Sequence, residues 1–192
     1  MNELLKEIKQ CSICEPYLSH GVRPVVLAHP KSRIVVIGQA PGIKVHNSGI
    51  PWDDKSGENL RDWMGISNED FYTPEKVGII PMGFCYPGKG KTGDLPPRVE
   101  CAPKWHQPLW DKMDEVELIL LIGKYAQDYY LKGQTKRTLT ETVKSYQEYL
   151  PKHFVLPHPS PRNNIWQKKN PWFKQEIIPA LKQTISHIMS SD

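Results

Sequence analysis

Four cysteines and three polar loops carry most of the reactive side chains in this 192-residue chain. Cys11 and Cys14 form a C-x-x-C pair, and Cys85 and Cys101 follow with fifteen residues between them. The loops are 39–42 (Gln-Ala-Pro-Gly), 81–88 (Pro-Met-Gly-Phe-Cys-Tyr-Pro-Gly) and 158–163 (His-Pro-Ser-Pro-Arg-Asn). The middle loop has the G-x-x-x-x-G-K frame of a phosphate-binding loop from Gly83 to Lys89. Gly90, however, stands where Ser or Thr would hold magnesium. Shifting the frame to Gly90-Lys91-Thr92 puts Cys85 in the place of the first glycine. No helical period follows either frame, so nucleotide hydrolysis is not expected.

Each loop begins where an apolar run stops. The run 34–37 (Ile-Val-Val-Ile) is β-branched and unbroken, the pattern of a strand buried on both faces of a parallel sheet. Gly38, Pro41 and Gly42 then force a turn. Further strands are expected at 77–80, 116–122 and 154–156. Helices are expected at 2–10, 57–64 with Ser56 as N-cap, a turn near Phe71, then 104–114, 124–131 and 139–150. The last helix should start at Asn170-Pro171 and kink at Pro179. The stretch 45–55 shows neither period. Strands therefore alternate with helices four times, which predicts a three-layer α/β/α sandwich around a central four-stranded parallel sheet. In such sheets all three polar loops fall on one edge, where open α/β folds place their chemistry.

The bulk properties bound the setting. Hydrophobic residues make up 39% and charged residues 24% of the chain, values of an ordinary globular protein. One domain spanning residues 1–192 is expected at this length. No apolar run approaches a membrane span, and the N-terminus lacks a signal peptide's apolar core, so a cytoplasmic monomer with no membrane partner is expected. A net charge of +4 permits nucleic-acid binding without requiring it. A disulfide is not expected in that compartment.

The loop pattern resembles the uracil-DNA glycosylase superfamily. Gly38-Gln-Ala-Pro-Gly42 is similar to a G-E-A-P-G first motif, and His158-Pro-Ser160 matches an H-P-S second motif. Gly49-Ile-Pro-Trp52 looks like the family's G-R-P-F segment, whose aromatic ring stacks on the extruded base. Asp54-Lys-Ser-Gly57 looks like the G-D-R-S-G segment, whose aspartate is the water activator. The cysteine spacing is similar to that of the iron–sulfur branch. The resemblance therefore implies that Cys11, Cys14, Cys85 and Cys101 hold one [4Fe–4S] cluster, thiolates being the ligands such clusters need. Zinc would use the same four, and four free, buried thiols remain the plainer alternative.

The implied reaction is excision of a deaminated base, uracil or a related one, from DNA. Breaking an N-glycosidic bond makes a cationic sugar and an anionic base, and the base must first leave the stack. The site needs a ring to stack on the base, a donor for its developing oxyanion and an acceptor to hold the water. Trp52, His158 and Asp54, with Asp53 beside it, fit these needs. Gln39, Ala40, Pro81 and Asn163 are the expected base contacts. Arg162, Lys168 and Lys169 are the expected phosphate contacts. Plainer readings stand beside these: Trp52 as loop packing, Asp53 or Asp54 as a helix cap, and the lysines as a solvated helix face. Where the iron–sulfur branch carries the asparagine that reads the uracil edge, this chain has Pro81. Two other functions compete, a non-catalytic binder of damaged or single-stranded DNA and a small-molecule hydrolase.

Overall fold

The computed structural model describes residues 1–191. The chain begins with α1 (Asn2–Lys9) and reaches β1 (Ile34–Ile37) through a long proline-punctuated connection. Then come α2 (Ile43–Ser48), α3 (Lys55–Met64), α4 (Asn68–Tyr72) and β2 (Val77–Ile79). A long loop leads to α5 (Cys101–Trp110), followed by β3 (Leu118–Ile122), α6 (Lys124–Leu131), α7 (Leu139–Lys144) and β4 (His153–Leu156). The chain closes with α8 (Asn164–Lys169) and α9 (Ile178–Ser190).

The four strands form one parallel sheet in the order β2-β1-β3-β4. Alternation along each strand separates two apolar cores. Ile34, Val36, Leu118, Leu120, Phe154 and Leu156 pack with Leu60 and Met64 of α3, Phe71 of α4, and Leu181 and Ile185 of α9. Val35, Ile37, Ile119, Leu121 and Val155 pack on the other face with Ile8 of α1, Leu109 of α5 and Ala126 of α6. Both faces are covered, which is the three-layer α/β/α sandwich. The free edge of β2 is closed by Leu27, which exchanges backbone hydrogen bonds with Ile79. That pairing shields the edge from another chain.

The local differences from the sequence reading have simple causes. The stretch read as aperiodic overlaps α2, whose N-cap is Gly42 and whose C-cap is Gly49 in the left-handed region (φ 73°). Six residues with only Val45 buried are too short to display a period. The N-cap of α3 is Asp54 and not Ser56, so the helix starts two residues earlier. α5 begins at Cys101 because Pro103 falls in its first turn, where a missing N–H costs nothing. β2 ends one residue early at Ile79, β3 starts at Leu118, and 139–150 divides into α7 and a 3-10 turn at Tyr146–Tyr149. The helical backbone runs on from Trp172 through Pro179 to Ser190. Pro179 lies in the first turn of α9, directly after the π turn at Phe173–Ile177.

Candidate active site

The site is built from the ends of β1, β2 and β4. Gly38 follows β1 where a side chain has no room, since a Cβ there would stand 2.8 Å from the Trp52 ring. The backbone N–H groups of Met82 and Gly83 donate to the carbonyls of Gly38 and Gln39, both at 2.9 Å. The loops after β1 and β2 are thereby locked side by side.

Trp52 occupies the left-handed backbone region (φ 57°), which is uncommon and strained for a bulky residue. Its surroundings leave it little choice. A Cβ at Gly57 would lie 1.8 Å from the Trp52 carbonyl, so α3 can approach only through a glycine. Arg61 donates to that carbonyl at 3.3 Å and to the Tyr72 hydroxyl at 3.3 Å. The Tyr72 hydroxyl in turn donates to the Pro51 carbonyl at 2.9 Å. This brace turns the indole toward His158, with ring centroids 5.7 Å apart and planes at 34°.

Asp54 has a structural duty. Its Oδ1 accepts the Gly57 N–H at 2.8 Å and caps α3. That leaves Oδ2 as the oxygen able to hold a water. His158 is half-buried, and desolvation pushes its pKa below the usual histidine value; the carboxylates of Asp54 and Asp94 oppose that shift without reversing it. The Ser160 backbone N–H donates to His158 Nδ1 at 3.1 Å. Nδ1 is therefore the bare nitrogen of a neutral ring, and Nε2 carries the proton. Asn163 Nδ2 donates to the His158 carbonyl at 2.7 Å, and Asn59 of α3 donates to the Pro159 carbonyl at 2.8 Å. These two amides fix the loop that presents the imidazole.

One cavity of about 520 Å³ gathers most of the expected residues: Gln39, Ala40, Trp52, Asp54, Pro81, His158, Arg162 and Asn163. Asp53, Lys168 and Lys169 do not line it; all three are exposed. The cavity also holds residues that the sequence reading passed over, chiefly Ser160, Thr92, Gly93 and Asp94. The last three come from the loop after β2, which folds back over the mouth. Arg162 reaches the Thr92 carbonyl at 3.5 Å, and Gln39 Nε2 donates to the Leu95 carbonyl at 3.2 Å. No local pattern in the sequence marks that return.

Beneath the cavity lies a second unforeseen feature. His106 of α5 is 2% exposed. Its Nε2 lies 3.0 Å from the Pro81 carbonyl, and its Nδ1 meets the Tyr130 hydroxyl. Trp110 Nε1 donates to the same hydroxyl at 3.0 Å. A carbonyl only accepts, so Nε2–H is the donor and Nδ1 accepts the hydrogen bond of the Tyr130 hydroxyl. Burial holds His106 neutral, with its pKa down to about 4. Position 81 thus brings no polar side chain to the cavity, and its carbonyl is engaged from below.

The four cysteines line a separate small cavity with Leu18 and Arg98. Burial pushes the thiol of Cys85 up to about 11 and that of Cys101 to about 12, and Cys14 rises for the same reason. Among the described residues no three His, Cys, Asp or Glu side chains are grouped tightly enough to hold a single metal ion. The donor set nevertheless fits a thiolate-ligated group: four thiols face one space, and Arg98 Nε is buried there without a hydrogen-bond partner. An anionic occupant supplies the acceptor that this donor lacks.

A family model described as the Uracil DNA glycosylase superfamily matches residues 25–182. The chain belongs to that superfamily. Cys11 and Cys14 lie before the matched residues. Among solved structures, the solution NMR structure of a "putative Uracil DNA glycosylase" from Methanosarcina acetivorans is similar at 14% identity, with a TM-score of 0.46, over 83% of this chain and 94% of that one. No helix among the described residues is long and apolar enough to cross a membrane.

Proposed function

We propose that the protein is a monofunctional DNA glycosylase that removes a flipped, deaminated base, acting as a one-domain monomer in the cytoplasm. The observation that carries this reading is the grouping of Trp52, Asp54 and His158 around one cavity, with His158 neutral and its proton on Nε2. As the N-glycosidic bond breaks, its electron pair moves into the base and charge develops on a carbonyl oxygen of the base. His158 Nε2–H donates to that oxygen without giving up its proton. Trp52 stacks on the base, and the backbone at Gln39 and Ala40 borders its edge. Asp54 Oδ2 holds the water that attacks the cationic sugar carbon, and the carboxylate takes the water's proton. The products are a free base and an abasic site. Among the described residues no lysine lines the cavity, so no side-chain amine is placed to form a Schiff base and cut the strand.

Asp54, and not Asp53, is the carboxylate of this mechanism, because Asp53 is exposed outside the cavity. Arg162 at the mouth and Lys168 and Lys169 on α8 contact phosphates. Cys11, Cys14, Cys85 and Cys101 hold a [4Fe–4S] cluster, which when bound ties the segment after α1 to the loop after β2. Zinc on the same thiolates would need the four sulfurs drawn closer together than they stand.

Pro81 bears on the choice of base. Uracil presents a polar edge, and a site that lacks the matching hydrogen bond can lose ~10⁴-fold in discrimination. The preferred base is therefore a deaminated base other than uracil. A panel of duplexes, each with one modified base, tests this by strand breakage after alkali. Breakage should be strongest away from uracil, and Pro81→Asn should raise the uracil rate. Robust wild-type excision of uracil, unchanged in Pro81→Asn, would show that the edge is read elsewhere.

A further inference from the structure

We infer that Arg98 is the hydrogen-bond donor that holds and tunes the thiolate-ligated group in the cysteine cavity. The inference rests on the cluster reading above and goes beyond the four ligands to a residue that is not one of them.

Arg98 lines the cavity together with all four cysteines. Its guanidinium is braced from outside the cavity: Nη2 donates to Glu100 Oε1 at 2.6 Å, and the guanidinium carbon lies 4.4 Å from the centroid of the Tyr17 ring. Those contacts fix the fork and leave Nε–H buried with no partner among the described residues. An unpaired buried donor on a charged group carries the full penalty of desolvation. In the thiol form Cys14 aims its S–H at Glu100, 3.7 Å away, and its neutral sulfur is only a weak acceptor for the guanidinium beside it. Four thiolates around iron and sulfide make an anion rich in sulfur acceptors, and Nε–H is the donor that such an anion meets. The cationic guanidinium also offsets its charge. A donor beside a cluster favours the more negative, reduced form and so raises the reduction potential. Second-shell partners of this kind typically change metal affinity by roughly 10–100-fold.

The test uses the full-length protein reconstituted anaerobically with ferrous iron and sulfide, as wild type, Arg98→Lys and Arg98→Met. Iron and acid-labile sulfide are counted per chain, bleaching of the visible absorbance by a chelator is timed, and the potential is read by voltammetry. Melting of each apo-protein is followed in parallel. The inference predicts bleaching roughly 10–100-fold faster and a more negative potential for Arg98→Met. Arg98→Lys should be intermediate, because it keeps the charge and loses the planar donor. It predicts apo-proteins that differ far less than the loaded ones, because the donor has no partner until the group is bound. Equal bleaching and equal potential in all three proteins would overturn the role of Arg98 while leaving the cluster in place. A loss of apo stability that accounts for all of the difference would reduce Arg98 to a structural residue and overturn it likewise. A wild-type protein that takes up neither iron nor sulfide would overturn both this inference and the cluster reading. If Arg98→Met does not fold, the comparison of Arg98→Lys with wild type decides on the same readouts.

Discussion

The Ser160 backbone N–H points at His158 Nδ1 from 3.1 Å, and this contact selects the tautomer of the imidazole. Protonating the ring would set a second donor against the first, in a place whose desolvation already disfavours the cation. The neutral donor therefore persists below the ordinary histidine pKa. Excision should stay level as pH falls past about 6.5 and decline only at more acidic pH, through a folded-state pKa lying below 6.5. Replacing His158 by Leu should lower single-turnover excision by roughly 10²–10³-fold, with DNA affinity kept. An acid limb centred at or above 6.5 would contradict the neutral-donor assignment.

Asp54 has two roles in one side chain, and they can be separated. Asn is as good an N-cap as Asp but holds no charge. Asp54→Asn should keep stability within about 0.5 kcal/mol while excision falls by roughly 10²–10⁴-fold. Asp54→Ala should lose the same activity and about 1 kcal/mol more stability. Chemical denaturation alongside a single-turnover assay distinguishes the two. An active Asp54→Asn protein would leave Asp54 as a helix cap alone.

His106 predicts a specific loss of stability in acid. Its folded-state pKa lies near 4, below the unfolded value near 6.5. In that interval the unfolded chain binds the proton and the folded chain does not. Its share of stability is thus complete above pH 6.5 and is lost as pH falls toward 4. At about 1.4 kcal/mol per pH unit the loss is roughly 3 kcal/mol. His158, His153 and His46 shift in the same direction and add to the same limb. His106→Gln keeps a donor for the Pro81 carbonyl but cannot titrate. Its urea midpoints should fall less steeply over that interval than those of the wild type, and equal slopes would contradict the assignment.

DNA contact should be visible in salt. Each neutralised phosphate adds about −0.9 to the slope of log affinity against log salt on duplex DNA. Arg162→Ala should flatten that slope by about one unit, and replacing Lys168 and Lys169 together by about two. Binding titrations at several salt concentrations measure this, and unchanged slopes would remove those side chains from the interface.

The sheet was legible because its strands are buried on both faces, so 34–37 and 118–122 read as uninterrupted apolar runs. The paired loops were legible because Gly and Pro mark strand ends. Trp52, Asp54 and His158 could be picked out through the superfamily resemblance, not from spacing, since more than a hundred residues separate Asp54 from His158. What stayed hidden depends on contacts distant in sequence. Asp94 reaches the cavity because its loop folds back to Arg162 and Gln39. His106 lies under Pro81 because α5 packs beneath the sheet edge, and its helix pattern is that of any buried face. Short α2 carries too few residues to reveal a period.

The central claim is that this cavity hydrolyses an N-glycosidic bond in DNA, and the most direct measurement is mass-spectrometric detection of the freed base. A duplex with one deaminated base is mixed with excess protein, and free base and intact strand are counted together. The account predicts one free base per abasic site, a strand that stays whole until alkali is added, and release slowed by roughly 10²–10⁴-fold in Asp54→Asn. No freed base from any duplex in the panel, or release by Asp54→Asn at the wild-type rate, would contradict it.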